Sequence, residues 1–486
     1  MMKVTVNASI SITKTDTVLV FVDETFEYRH LASRLSFLRT AGDERFFREL
    51  KSPVYIPSTV NADVIIIPVK QNGDAAAVYR RAAAEGVRTA QTHRKTKVLV
   101  IVPEKEGVGH EKCAVWITEG LMLGGYIFDR YRQSDEGKKV PVDEAILVNI
   151  HARHEKTVSD AALLCTSVNR CRDMVNDITD NTNPDTIERA AKQTAKLKNV
   201  SCSVLSEAKL KSKKMNLILA VGRGSVYRPR MVVLSYKGNP SSRKWSALVG
   251  KGVTFDTGGL NLKTSAGITD MRYDMAGAAA VLYTIEAAAR LGIRQNVYGV
   301  LPLVENAVDS ESYRPGDVFI SYAGKSVQVL NTDAEGRLIL ADALAYTERQ
   351  LKPARIIDIA TLTGACLVTF GWEYAALLST SDDLVEQIQS ASVETGEKVW
   401  RLPFDSAYDQ RIKGDIAEIT NITPDRKAGT IIGGTFLKEF VEQTPWAHID
   451  IASTGWMDQQ NGLYGRYATG FGVRLLVRFL ASLKDE

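Results

Sequence analysis

At 486 residues the chain exceeds the length over which one hydrophobic core keeps growing, so two domains are expected. Hydrophobic residues at 45% and charged residues at 24% are ordinary for a globular protein and exclude long disordered tracts. The formal net charge is only +4 and neither half is markedly basic, which argues against a nucleic-acid partner.

The N-terminal stretch MMKVTVNASISITK alternates like a strand where a secretory leader would carry an unbroken apolar run. No run of apolar residues is long enough to span a membrane. Cysteines 113, 165, 171, 202 and 366 are odd in number and lack CxxC spacing, as expected in a reducing compartment. The expected location is therefore the cytoplasm. Residues 1–151 alternate β-rich runs (TVLVFVD, DVIIIPV, KVLVIVP, EAILVNI) with Ala-rich helical segments such as GDAAAVYRRAAAEGVRTA, which predicts a smaller N-terminal α/β domain. Residues 152–178 read as one long connecting helix. From 179 to 486 a second alternation follows: ALVGKGVTF as strand, DMAGAAAVLYTIEAAARLG as helix, QNVYGVLPLV and VQVLN as strands, LILADALAYTERQL as helix and RIIDIATLT as strand. The fold class is α/β, with a larger C-terminal α/β/α domain around a central, mostly parallel mixed sheet.

Two stretches carry unusual chemistry, residues 249–280 and the octet NTDAEGRL at 331–338. Lys251 and Asp256 are expected at and beyond the end of one β-branched run, on the C-terminal sheet edge where open α/β sheets bind ligands. Lys263 follows in a loop, and Asp274 opens the Ala-rich helix, where the macrodipole favours a carboxylate. Asp333 ends a strand, Glu335 stands two residues on, and Arg337 enters the next helix. Taken singly these are ordinary features: helix caps, a turn at TGG, a solvated lysine. If the carboxylates converge, they repel unless positive charge sits among them, and a pair of divalent cations that clamps the groups of a hydrolysis meets that need. Lys251 is then either a ligand through its neutral amine or, as the residues alone favour, a salt-bridge partner of Asp256. His448 is the one histidine after residue 154, so a His-rich zinc site or a Ser-His-Asp hydrolase is a poor fit, and it reads as packed inside a strand.

Together GKGVTFDTGGLNLK, DMRYDMAGAAA, PLVENAVDSESYRPGDV (302–318), NTDAEGRLILADAL (331–344), ATLTGA (360–365), WAHIDIAST (446–454) and ATGFGVRLL (468–476) resemble the leucine aminopeptidase family, also called cytosol aminopeptidases. The resemblance implies an enzyme that removes the N-terminal residue, leucine preferred and other apolar residues accepted, from peptides with a free N-terminus. It implies one metal on Lys251, Asp256, Asp274 and Glu335, a second on Asp256, Asp333 and Glu335, and a metal-bridging water as nucleophile. The ions would be Zn and/or Mn, with Co or Mg also compatible with the oxygen-rich set. Lys263 would stabilise the oxyanion, and Arg337 would hold a bicarbonate ion that relays the proton. Met271, Thr361, Gly364 and Ala452 would line the pocket for the leaving residue. The resemblance also implies a homohexamer of two stacked trimers. Thr257, Ala276 and NDITDN (176–181) depart from the family's usual residues without removing an implied ligand. Some relatives act on DNA, so a DNA-binding or regulatory protein is the rival reading, disfavoured by the missing basic half.

Overall fold

The computed structural model describes residues 2–9, 12–13, 16–22, 49–58, 62–70, 73–104, 107–134 and 138–484. Asp23 of the expected TVLVFVD strand and residues 1, 10, 11 and 14 of the N-terminal stretch lie outside them. The chain forms two compact units, Met1–Asn169 with Gln459–Arg466, and Arg170–Asp458 with Tyr467–Glu486. The division falls within the helix Glu155–Asn176. Among the described residues no helix is long and apolar enough to cross a membrane.

The first unit is built on a six-stranded sheet of β1 (Lys3–Asn7), β2 (Thr17–Val22), β3 (Val54–Ile56), β4 (Asp63–Pro68), β5 (Lys97–Ile101) and β6 (Glu144–Val148), in the order β1-β6-β5-β2-β4-β3. Its pairings are parallel except at β3, and the central strand TVLVFV is buried on both faces, which is why it reads as a continuous apolar run. Helices Ala75–Thr92 and His110–Gly124 touch backbone to backbone: a Cβ on Gly120 would lie 2.3 Å from the Arg80 carbonyl oxygen.

The second unit carries β7 (Val200–Leu205), β8 (Arg230–Lys237), β9 (Trp245–Gly250), β10 (Gly252–Asp256), β11 (Asn296–Asn306), β12 (Val318–Ile320), β13 (Ser326–Gln328), β14 (Arg355–Ala360), β15 (Ala375–Ser379), β16 (Val399–Arg401), β17 (Ile419–Thr420) and β18 (Trp446–Asp450). Its main sheet runs β16-β15-β18-β14-β9-β11-β8-β7, with β10 also paired to β11. The middle, β18-β14-β9-β11, is parallel, and antiparallel pairs lie to either side. Strand periodicity separates the two faces. Ala247, Val249, Val300 and Val304 join one core with Leu338, Leu340, Ala341, Leu344 and Phe436, whereas a Cβ on Gly299 would meet Ile285 and Val281 of the helix Ala276–Leu291. The layers are therefore α/β/α, as expected.

Two strand expectations need correction: VQVLN is strand only as far as Gln328, so Asp333 lies in a turn and not at a strand end, and the run holding Lys251 is interrupted. ALVGKGVTF is two strands broken at Lys251, because the start of the helix Ala276–Leu291 presses on the chain there. A Cβ on Gly250 would lie 2.4 Å from the Gly277 carbonyl oxygen, and the Lys251 backbone is claimed from both sides, its N–H by Ile359 O at 3.1 Å and its C=O by Ala278 N at 2.8 Å. After the break, β10 pairs with β11 alone. Lys251 thus stands at a kink, while Asp256 ends the second strand.

His448 is fully buried in β18, with Nδ1 2.6 Å from Asp358 Oδ1, and Trp446 Nε1 donates to the other Asp358 oxygen at 2.7 Å. Burial opposes the imidazolium, but Asp358 and then Asp450 outweigh it, against Arg337, so the histidine pKa is raised. A raised folded pKa stabilises fully below the unfolded value and is lost as pH climbs through the folded one. Replacing His448 by Gln should therefore cost about 3 kcal/mol near pH ~6 and visibly less near pH ~9, as read from urea unfolding of the two proteins. A penalty independent of pH would show that the pair is not charged.

Candidate active site

The loop that follows β10 is folded back by its own hydrogen bonds. Thr257 Oγ1 donates to Asn306 O at 2.8 Å, and Lys263 N donates to Thr257 O at 2.9 Å. Gly258 and Gly259 take φ of +86° and +61°, a region closed to most side chains, and a Cβ on Gly258 would lie 2.9 Å from Asp333 Oδ1. The turn thereby brings the Lys263 ammonium between two carboxylates, 2.8 Å from Asp256 Oδ2 and also paired with Asp333 Oδ1. Asp256 Oδ1 is held separately, by Gly258 N at 2.8 Å and Asn306 Nδ2 at 2.7 Å.

Lys251 serves the other half of the cluster. Its ammonium lies 2.7 Å from Asp274 Oδ1 and 2.9 Å from Glu335 Oε1 and donates to Thr361 O at 2.8 Å. The expected Lys251–Asp256 bridge is replaced by this arrangement, since about 16 Å of extended chain separates residues five apart in strand geometry and Asp256 has Lys263 instead. Neither the Asp274 nor the Glu335 side chain makes a helix-cap bond, although Glu335 stands at the N-cap position of the helix Gly336–Tyr346. Asp274 accepts Thr361 Oγ1 at 2.7 Å, and Glu335, itself helical in φ and ψ, makes no side-chain cap bond. Gly336 leaves room for this: a Cβ there would lie 2.5 Å from Lys251 Cε. Carboxylate oxygens of Asp256, Asp333 and Glu335 all lie within 4.8 Å of one another.

Crowding sets the electrostatics. Asp256 is pushed up to about 7 by burial and by Glu335, against the pull of Lys263. Burial, then Glu335 and Asp256, carry Asp274 well above the usual carboxylate range despite Lys251, and burial with Glu335 raises Asp333. Glu335 goes the other way, because Lys251 and Lys263 together outweigh its burial. Both lysines are raised: burial opposes their charge, but Asp274, Glu335 and Asp256 prevail at Lys251, and Asp256, Glu335 and Asp333 at Lys263.

Arg337 is buried, donates through Nη1 to Asn421 O at 2.7 Å, and keeps an Nε with no hydrogen-bond partner. Burial lowers it to about 10, with Glu335 and Asp450 working the other way. Met271 sits on the turn leading to Asp274, and Thr361 touches the cluster directly. Gly364 opens the helix Gly364–Phe370 and Ala452 follows β18, its N–H donating to Asp450; among the described residues neither is hydrogen-bonded to the four carboxylates of the cluster.

A layer of amides and hydroxyls, absent from the sequence reading, holds the octet in place. Asn421 accepts Leu330 N at 2.8 Å and Asn331 N at 3.3 Å and donates to Asn331 O at 2.6 Å. Tyr313 Oη donates to Thr332 O at 2.6 Å, Asn306 Nδ2 to the same oxygen at 3.1 Å, and Asn261 and Thr332 exchange backbone and side-chain bonds. Asn306 carries a weak sequence signal, a polar residue closing an apolar strand; Asn421 carries none.

The family model described as cytosol aminopeptidase family, catalytic domain, matches residues 169–477. A probable cytosol aminopeptidase of Protochlamydia amoebophila is 37% identical over 435 residues, covering 88% of this chain and 87% of that one. Another from Syntrophotalea carbinolica is 40% identical over 407 residues, 82% of each chain. Among solved structures, the bottromycin maturation enzyme BotP in complex with Mn has a TM-score of 0.85 at 31% identity, covering 96% of this chain and 99% of its own. A mutant of tomato leucine aminopeptidase has a TM-score of 0.89 at 27% identity, covering 99% and 97%. With whole-length relatives and the matched domain enclosing every residue of the lysine–carboxylate cluster, this chain belongs to the cytosol aminopeptidase family and is an aminopeptidase, a hydrolase.

Proposed function

We propose that the chain is a two-metal aminopeptidase that releases an N-terminal leucine, or another apolar residue, from peptides. The observation that carries this is the convergence of the Asp256, Asp333 and Glu335 oxygens within 4.8 Å, in a cluster of four carboxylates served by two ammonium groups. With all four acids ionised, two negative charges would remain uncompensated, and Asp274 Oδ2 is buried without a hydrogen-bond partner. Such a donor set fits divalent cations. Lys251, Asp256, Asp274 and Glu335 would hold one ion, and Asp256, Asp333 and Glu335 the other, Zn or Mn first, Co or Mg as alternatives; the relative solved with Mn supports the class of ion. When bound, the pair supplies Lewis acidity to the scissile carbonyl and to the attacking water. Lys251 would join the ligands only as a neutral amine, and would then have to give up the proton that its three acceptors favour.

The other residues supply positioning and proton handling. Lys263, reached from a loop and less enclosed than Lys251, donates toward the oxygen that gains charge at the attacked carbonyl. Arg337, with its free buried Nε, anchors an anion beside the cluster; bicarbonate there would carry the proton from the nucleophile, so no histidine is needed. Met271, Thr361, Gly364 and Ala452 form the apolar wall for the leaving residue. A homohexamer of two stacked trimers and a cytoplasmic location complete the reading, the location supported by relatives named cytosol aminopeptidases.

Release of leucine from a leucyl substrate should cease on chelation and return with Mn or Zn; full rate in metal-stripped protein would sink the proposal. Two substitutions separate the roles. Asp274→Ala should lose about one equivalent of metal by elemental analysis, whereas Lys263→Ala should keep its metal and lose kcat by about 10²-fold. Full occupancy and full rate in both variants would show the roles misassigned.

A further inference from the structure

Strands β14 and β18 run parallel and in register, Ala360 opposite Asp450, and the chain leaving each reaches the proposed pocket, through Thr361–Gly364 on one side and Ala452 on the other. One side chain joins the two segments. Asp450 is fully buried, its Oδ1 accepts Leu362 N and Ala452 N, each at 3.1 Å, and its Oδ2 accepts Thr363 Oγ1 at 2.7 Å. All three donors are neutral. Thr363 Oγ1 also meets Thr430 Oγ1 at 2.9 Å, so the turn is tied at a further point.

The same turn is fastened to the cluster from its other end. Thr361 O accepts Lys251 Nζ at 2.8 Å, and Thr361 Oγ1 donates to Asp274 Oδ1 at 2.7 Å. A Cβ built on Gly364 would meet nothing within 4 Å, so open space lies at the wall this turn carries.

We propose that Asp450 is a positioning residue for substrate selection: by accepting from both segments it sets the distance between the two walls that receive the substrate's N-terminal side chain. This rests on the aminopeptidase reading of the site. Asp450 touches no reacting group; it acts through Leu362, Thr363 and Ala452. A shift of either wall alters the fit of a large side chain more than that of a small one, because a small residue fills less of the pocket.

The test compares kcat/KM for leucyl and alanyl p-nitroanilides in purified, metal-loaded protein. Asp450→Ala should lower the leucine-to-alanine ratio about tenfold, the size of a misfit of one or two methylenes, mainly through KM for the leucyl substrate. Its metal content should match the wild type. Asp450→Asn keeps an oxygen for the two backbone N–H groups and should restore the ratio to within about twofold. Thr363→Val removes one tether only and should give a smaller fall, which decides the matter if Asp450→Ala does not fold. An unchanged ratio, or an equal loss on both substrates, in an active wild-type background overturns this proposal alone. A wild-type protein that releases neither residue overturns the aminopeptidase reading and this proposal with it.

Discussion

Like charges held close together out of water are the constraint on which the catalytic unit is built. Asp256, Asp274 and Glu335 are each almost fully buried, and Asp333 completes the set at its rim. Burying an ion costs several kcal/mol even after relaxation, and neighbouring carboxylates add to that cost. The two lysines offset part of it by bridging, each spanning two carboxylates, so the cluster is two short acid–lysine–acid chains that meet carboxylate to carboxylate. Such chains hold only if the backbone beneath them does not yield. That requirement explains why Asp256, the octet and the turn after Thr361 are all tied down by amides and hydroxyls from separate segments.

The fold meets the constraint by ending parallel strands together. β10 delivers Asp256 and β14 delivers Thr361, while the kink between β9 and β10 turns Lys251 into the gap between them. Close approach of the helix Ala276–Leu291 makes that kink, and the small residues at its start make the approach possible. Packing on one face of the sheet is thereby coupled to the placement of a charge at its edge. The two lysines differ accordingly. Lys251 is enclosed by rigid elements, whereas Lys263 hangs on a loop whose shape depends on two glycines with positive φ.

Much of this architecture is legible in the residues because burial leaves a periodic trace. Strands buried on both faces read as continuous apolar runs, and the Ala-rich helix reads as one buried all round. The break at Lys251 leaves no such trace, since VGKGVTF keeps strand-like composition across it; the contact that makes it comes from Gly277, distant in sequence. The site was legible in part. Spacing alone made the octet a helix start and Lys251 a partner of Asp256, and only the ordered motifs taken together pointed to one cluster. The Asn421 clamp was not legible at all, because a lone asparagine between two short runs looks the same whether it faces solvent or holds a loop.

The octet and its helix show why acids cannot be sorted by sequence alone. Asp333, Glu335 and Asp342 lie within ten residues of one another, yet the last has another fate. Asp342 accepts Leu217 N at 2.9 Å and Ile218 N at 3.1 Å on one oxygen and Tyr322 N at 2.7 Å on the other, so it anchors the first turn of the helix Asn216–Gly222 and the chain after β12. Burial still pushes it up to about 7 against those three bonds. Backbone donors carry fixed dipoles and no net charge; they satisfy a carboxylate's lone pairs while leaving its charge uncompensated. Ammonium groups compensate charge but, when each spans two acids, leave a deficit that a further cation can fill. What separates Asp342 from the acids of the cluster is therefore the class of donor facing it, and that is set by which strand ends the fold brings together.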